Sequence, residues 1–537
     1  MPVAPSQSIS CCHMADRDRT ADGWRNRVED ALLSGLRPFW GAINRTPVAA
    51  RFFNALIVNN AVKKLPARPM RLSTMHDYTS WAAMNDRSWF SRYLPPKPPV
   101  DLPPLETLAA LYQIRPGGPR LSSRSTLLFP VFAQWFTDGF LMTEEDRRRT
   151  RTNHQIDLCQ VYGLTATMTD ALRAKDNTAI RRGRLRSVTT KTGEWAPPLF
   201  HDNGERVAGL EALPDPIKMP ANLPIAKKRT LFAFGGERAN ANLFTAAMNT
   251  LFLREHNRLC AVLEANHPSW DDDRLFETAR NINIVQLIRI VVQEYINHIS
   301  PYWLQLLADP TPAHTATWNR PNWIPVEFNL LYRWHSLVPS EFFWNDQLLP
   351  ITECQFDNSR PLNSGLEAAF TSASATRAWS IGLFNTVPML VPVELASIQQ
   401  GRDNRLGSYN DYRANASYPR VDCFEQISGD PDVVAALRRL YGHVDRVEYF
   451  VGLFAEDLPP RSAVPPLIGR MVAADAFSHA LTNPLLAPAL YTADTFTRAG
   501  LDVIEATSNL ADLVARNTPG RRLGRTSMEW EGYASSA

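Results

Sequence analysis

A chain of 537 residues, 45% hydrophobic and 21% charged, has ample material for a large buried core. Its formal charge of +3 is small for that length, which argues against wholesale binding to nucleic acid. Six cysteines (Cys11, Cys12, Cys159, Cys260, Cys354 and Cys423) lie scattered, without the spacing of a disulfide framework or a zinc cluster, so reduced thiols are expected.

Residues 1–21 read as a disordered lead, because Ser6 to Asp18 is mostly polar and lacks the apolar run of a signal peptide. No uninterrupted apolar stretch of about 18 residues occurs, so no spanning helix is expected. The chain is therefore expected inside the cell, either soluble or lying on one face of a membrane. Residues 22–71 read as amphipathic helices. Leu32, Leu33, Leu36, Phe39, Trp40, Val48, Phe52, Phe53, Leu56, Ile57 and Val58 are interleaved with Arg37, Arg45, Arg51, Lys63 and Lys64. That pattern suits a membrane interface, and it equally suits docking on a globular core. Pro95, Pro96, Pro98, Pro99, Pro103 and Pro104 mark an extended connector. Beyond it helical periodicity dominates, over residues 243–264, 272–298 and 433–441, and strand alternation is scarce. The expected fold class is mostly α, with a helical catalytic domain over residues 72–520 and a polar tail over 521–537.

The most informative stretch is Glu327-Phe328-Asn329-Leu330-Leu331-Tyr332-Arg333-Trp334-His335. Read as a helix, it puts Tyr332 and His335 on one face, about one turn apart. A neutral imidazole can ligate haem iron, and a phenol beside it can give an electron to an oxidised haem. Residue chemistry alone leaves a packed aromatic helix with a structural histidine open as the alternative. Other ordered segments weigh against that alternative: Leu253-Arg254-Glu255-His256-Asn257-Arg258, Glu294-Tyr295-x-x-His298, Gln400-Gly401-Arg402-Asp403 and Tyr409-Asn410-Asp411-Tyr412-Arg413. Together they resemble the cyclooxygenase-like branch of the animal haem peroxidase superfamily, from about residue 39 to about residue 520. The Tyr-Arg-Trp-His-Ser form looks closest to fungal linoleate diol synthases, and fatty-acid α-dioxygenases are relatives in the same branch.

The resemblance implies a haem peroxidase-like catalytic domain preceded by a monotopic membrane-binding segment at residues 39–60. It implies a haem-dependent dioxygenase whose partners are an unsaturated fatty acid, dioxygen and a peroxide activator. His335 takes the place of the proximal iron ligand, and Tyr332 that of the tyrosine whose radical removes a hydrogen atom from the lipid. Leu331, Phe328, Ile296, Tyr295 and Tyr302 fall on positions lining the lipid channel or its mouth. On the distal side Gln134 keeps its place, but Asp138 stands where the family has its catalytic histidine. Arg238 falls where mammalian peroxidases carry a distal arginine. Two readings of Asp138 stay open: an acid–base pair with Arg238 over the haem, or a surface or salt-bridging residue.

Thr137 and Ala241 occupy positions of the carboxylates that esterify haem in mammalian peroxidases, which implies non-covalent haem b. Around Asp157 the calcium ligands are thinned, so no calcium is expected. The arginine that anchors the fatty-acid carboxylate in cyclooxygenases falls on Ala61. This leaves Lys63 or Lys64 as a substitute or as an interfacial pair. The channel serine falls on Asp512, where a charge would oppose a fatty-acid chain. Cyclooxygenases are homodimers, but this chain carries no dimerisation signal of its own. Two other functions compete: a haem peroxidase or peroxygenase working through Asp138 and Arg238, and a haem-binding membrane protein that has lost catalysis.

Overall fold

Two helices at the centre of the fold, Leu243–Asn266 and Asp272–Ile290, carry apolar residues on nearly every side and are buried accordingly. A computed structural model describes them within residues 21–65, 70–98, 101–175, 182–320 and 322–533. Leu243–Asn266 starts at a capping box, in which Asn242 accepts from the Thr245 amide at 2.9 Å. It stops at His267, just before Pro268, and Asp271 caps the second helix by accepting from the Arg274 amide at 2.8 Å. The run expected over 272–298 is helical throughout but not uniform. After Ile290 it widens into a π turn, Val291–Ile296, and ends as Asn297–Ile299. The extra residue in that turn rotates the side chains beyond it, and Tyr295 and Ile296 are both buried.

Strands among the described residues are confined to four two-stranded antiparallel pairs. Leu121–Thr126 pairs with Arg377–Trp379 in the register Leu121↔Trp379 and Thr126↔Arg377, with an irregularity between. The polar tail returns to that strand. The Thr126 amide donates to the Met528 carbonyl at 2.8 Å and the Trp530 amide to the Arg124 carbonyl at 2.6 Å. Met528 and Tyr533 are buried there.

The N-terminal segment forms three helices, Ala21–Gly35, Arg37–Asn44 and Pro47–Lys63. One face docks. Trp40 and Phe53 meet edge to face at 5.4 Å, and Asn54 accepts from the Leu307 amide at 2.9 Å. The Trp318 indole donates to Asn59 at 2.7 Å. The other face stays apolar in solvent, with Leu32, Leu36, Phe39, Val48, Phe52 and Leu56 all exposed. Among the described residues no helix is long and apolar enough to cross a membrane. Cys159, Cys260, Cys354 and Cys423 are free thiols. The lead over residues 1–20, with Cys11 and Cys12, lies outside the described residues.

One expectation is corrected. The helix expected to carry both Tyr332 and His335 ends earlier: it spans Val326–Leu331, and a separate 3₁₀ turn, His335–Leu337, comes after it. The cause is Trp334, whose indole N–H donates to the Leu331 carbonyl at 2.5 Å. An α-helix would give that carbonyl to the His335 amide. Tyr332 and His335 therefore belong to two short elements and not to one helical face.

Candidate functional site

The segment bearing Tyr332 is anchored by buried polar residues on either side of Phe328. Glu327 is fully buried and accepts from the Tyr412 hydroxyl at 2.8 Å and the Tyr93 amide at 3.1 Å. Asn329, also fully buried, donates to the Leu141 carbonyl at 3.0 Å. It accepts from Arg333 Nη2 at 3.0 Å and from Gln400 at 3.3 Å. The helix Val391–Asp403 thus closes against the proximal segment through Gln400.

Tyr332 lies in an aromatic shell. Its ring meets Phe328 edge to face at 4.9 Å and stacks with Trp334 at 4.9 Å. Its hydroxyl is buried, with the Tyr295 hydroxyl as its polar neighbour. Burial pushes the phenol pKa up, with lesser effects from the Tyr295 phenol and the Asp475 carboxylate. His335 lies three residues on, one-fifth exposed, with Nδ1 3.1 Å from Glu394 Oε2.

Asp138 is the last residue of the helix Leu128–Asp138. Arg238 reaches it from a loop that begins at Gly235 and Gly236. A Cβ at Gly235 would lie 2.0 Å from the Gly163 backbone nitrogen, so only glycine admits that approach. Arg238 Nε sits 3.6 Å from Asp138 Oδ1. Burial lifts the Asp138 carboxyl to about 7, against the pull of Arg238 and Arg333. Arg333 is itself lowered by burial to about 10, and its Nε has no partner.

Asp138, Arg238, Tyr332, Arg333 and Thr137 line one small cavity. Tyr332 and the two distal candidates, far apart in sequence, are therefore brought together. Gln134 is not: it is exposed and accepts from Asn242 at 3.2 Å. The donor set fits haem. Two guanidinium groups face the cavity with Asp138 as the one carboxylate in its lining, a balance that haem propionates would complete. Leu141 and Met142 supply apolar wall, and His335, which stands outside the lining two residues on from Arg333, is the imidazole nearest in sequence.

A second cavity, of about 440 Å³, opens between the N-terminal helices and the helix Pro466–Leu481. Ile57, Ile296, Ile299, Leu306, Val472 and Phe477 give it an apolar interior, and Tyr302 stands in its wall. Ile296 and Tyr302 line this cavity, while Phe328 and Leu331 are buried in the core and do not. Lys63 is exposed and outside the lining. Lys64 lines it but is paired with Glu29 at 2.7 Å, and the Tyr302 hydroxyl donates to Asp30 at 2.7 Å. Among the described residues no carboxylate pairs with Arg470, which lies 4.0 Å from the Tyr418 ring centre and also lines the cavity. Asp512 is absent from the lining. Its carboxylate accepts from the Ser508 and Asn509 amides, at 2.8 and 3.2 Å, within a capping box. Asp157 likewise accepts from the Cys159 amide at 2.9 Å and from Asn153 at 2.8 Å.

Residue patterns alone gave no hint of Glu394 or Arg470. Arg333 stood inside the quoted motif, where only its two neighbours drew attention.

The family described as animal haem peroxidase matches residues 143–528. The chain is 29% identical to prostaglandin G/H synthase 1 of Oryctolagus cuniculus over 503 residues, 91% of this chain and 79% of that protein. It is 30% identical to prostaglandin G/H synthase 1 of Rattus norvegicus over 499 residues, 89% of this chain and 79% of that protein. In fold it is similar to the fatty acid alpha-dioxygenase of Oryza sativa, with TM-score 0.67, 15% identity and coverage of 96% of this chain and 97% of that one. It is also similar to peroxidase A of Dictyostelium discoideum, with TM-score 0.62, 18% identity and coverage of 86% and 100%.

Proposed function

The chain belongs to the animal haem peroxidase family and is an oxidoreductase of its cyclooxygenase-like branch, and from that premise we propose that it is a fatty-acid dioxygenase working through Tyr332. One observation carries the reading: the Tyr332 hydroxyl is buried among aromatic rings, with the Tyr295 hydroxyl as its polar neighbour. A phenol so enclosed is shielded from water and held un-ionised, the surroundings that a one-electron donor needs.

His335, Arg333 and Arg238 would hold haem b without a covalent link, and the bound haem would supply the one-electron oxidant for the phenol. The Tyr332 phenoxyl takes a hydrogen atom from an activated methylene, re-forming the phenol and leaving a carbon radical. Dioxygen adds to that carbon. The peroxyl radical then takes the hydrogen atom back from Tyr332, which yields the lipid hydroperoxide and restores the phenoxyl. Phe328 and Trp334 keep water from the radical.

The 440 Å³ cavity takes the carboxylate end of the fatty acid at Arg470, and the chain passes Ile296 and Phe477 toward Tyr332, which stands outside that lining. The exposed face of Phe39, Val48, Phe52 and Leu56 lies on a membrane surface from which substrate enters. A peroxidase or peroxygenase is the second reading, favoured by the Asp138–Arg238 pair. A carboxyl near pKa 7 can both give and take a proton at neutral pH.

Oxygen uptake with a panel of fatty acids, with and without added peroxide, tests the proposal. Uptake primed by peroxide and dependent on a polyunsaturated chain supports it. Peroxide consumption with a reducing co-substrate but without oxygen uptake gives the peroxidase, and neither activity leaves a haem-binding protein without catalysis. His335→Ala should lose the Soret band, and an unchanged haem spectrum would remove His335 as the ligand.

A further inference from the structure

His335 has a carboxylate beside its ring. Glu394 sits in the first turn of the helix Val391–Asp403 and is 2% exposed. Its Oε1 accepts from the Thr386 hydroxyl at 3.2 Å, which fixes the carboxylate plane. Its Oε2 lies 3.1 Å from His335 Nδ1, at ion-pair distance, and among the described residues neither atom is engaged in a hydrogen bond. A buried carboxylate without a partner costs several kcal/mol, so the pairing needs a reason. Arg333 is the other candidate partner, since the charge of Glu394 acts on it. Among the described residues, however, Arg333 makes no ion pair with Glu394, and its Nη2 is taken by Asn329 at 3.0 Å. Of the two candidates, the close approach is to the imidazole.

We infer that Glu394 is a positioning residue for the iron ligand: its carboxylate accepts the Nδ1–H of His335 and leaves Nε2 as the lone-pair face of the ring. The inference rests on the reading of His335 as that ligand. The hydrogen bond has three consequences. It selects one tautomer of the imidazole, holds the ring plane, and makes Nε2 a stronger electron donor than a ring bonded to water or a carbonyl. A stronger donor favours ferric over ferrous iron. It is the same adjustment that outer-shell carboxylates make on ligating histidines in metal sites generally. Glu394 reaches His335 across 59 positions of sequence from a helix on which Gln400, also buried, is already tied to the same segment through Asn329. One helix thus holds the proximal segment at two points. Gln400 sets where the backbone lies, and Glu394 sets the ring.

The test is Glu394→Gln in the haem-loaded protein. Glutamine keeps the volume and can still accept the Nδ1–H, but it removes the charge. The ferric–ferrous midpoint potential should rise, and the Fe–N(His) stretch of the ferrous protein should move to lower frequency. Glu394→Asp should recover part of both shifts. A purely structural role for Glu394 would alter haem content or thermal stability and leave potential and stretch where they are. If the glutamine variant matches the native protein in both readouts while His335→Ala has lost its Soret band, the inference is overturned and the ligand assignment stands. If His335→Ala keeps a native Soret band, the ligand assignment itself has failed. Should Glu394→Gln not fold, ¹⁵N-histidine NMR of the native protein decides. A slowly exchanging Nδ1–H on His335 supports the inference, and an Nδ1 without a proton overturns it.

Discussion

Replacing Asp138 by asparagine should change the pH dependence of stability. Burial raises the Asp138 carboxyl from 3.8 to about 7, against the pull of Arg238 and Arg333. A carboxyl raised on folding binds its proton more tightly in the native state than in the unfolded chain. Its cost to stability is therefore absent below pH 3.8, grows between pH 3.8 and about 7, and is complete above that. At about 1.4 kcal/mol for each tenfold change in proton affinity, the full cost is about 4 kcal/mol. About 3 kcal/mol of it falls between about pH 5 and about pH 8. Urea unfolding of both proteins at these two pH values measures it. The native protein should lose about 3 kcal/mol relative to Asp138→Asn over that range, since asparagine copies the shape of the protonated acid. Parallel pH profiles would show that Asp138 is ionised and hydrated at neutral pH, and the buried distal pair would be refuted.

Asp138→His should accelerate haem oxidation by peroxide by about 10²- to 10⁴-fold, the usual range of general acid–base assistance, read by stopped-flow absorbance. A faster native protein would show that the carboxylate is the better acid–base. Arg470→Gln should raise KM for a free fatty acid about 10- to 100-fold, from a charge-assisted hydrogen bond of about 1.5–3 kcal/mol, and leave the methyl ester unaffected. Equal effects on acid and ester would place the carboxylate elsewhere. Changing Phe39, Phe52 and Leu56 together to serine should abolish sedimentation with phospholipid vesicles while leaving the fold intact, because all three are exposed. Retained sedimentation would move membrane contact away from this face.

Long-range helix content was legible because apolar periodicity reports it directly, as at Leu243–Asn266 and Pro431–Tyr441. The break after Leu331 was not. A Tyr-x-x-His spacing gives one face only if the helix continues, and the Trp334 indole takes the carbonyl needed for that. The π turn at Val291–Ile296 was equally hidden, since one extra residue leaves the apolar pattern unchanged. The tail beyond Arg521 looked like a polar end because composition does not report backbone pairing with Arg124 and Thr126. Motif positions singled out Tyr332, His335, Asp138 and Arg238, and the fold brings Tyr332, Asp138 and Arg238 to one cavity. Lys63 was the reasonable cation by sequence, but packing turned it outward and left Lys64 to Glu29. Charge at a cavity depends on which cations are already paired, and that information lies in the fold.

Tyr332→Phe tests the central claim most directly. Phenylalanine keeps the rings of Phe328 and Trp334 in contact and removes only a hydroxyl whose polar neighbour is the Tyr295 phenol, so stability should change by no more than about 1 kcal/mol. Oxygen uptake with a polyunsaturated fatty acid and a peroxide primer is measured beside haem content and oxidation of a small reducing substrate. The account predicts that the variant keeps its haem and its peroxidase rate and forms no lipid hydroperoxide. Continued hydroperoxide formation by the phenylalanine variant would contradict it.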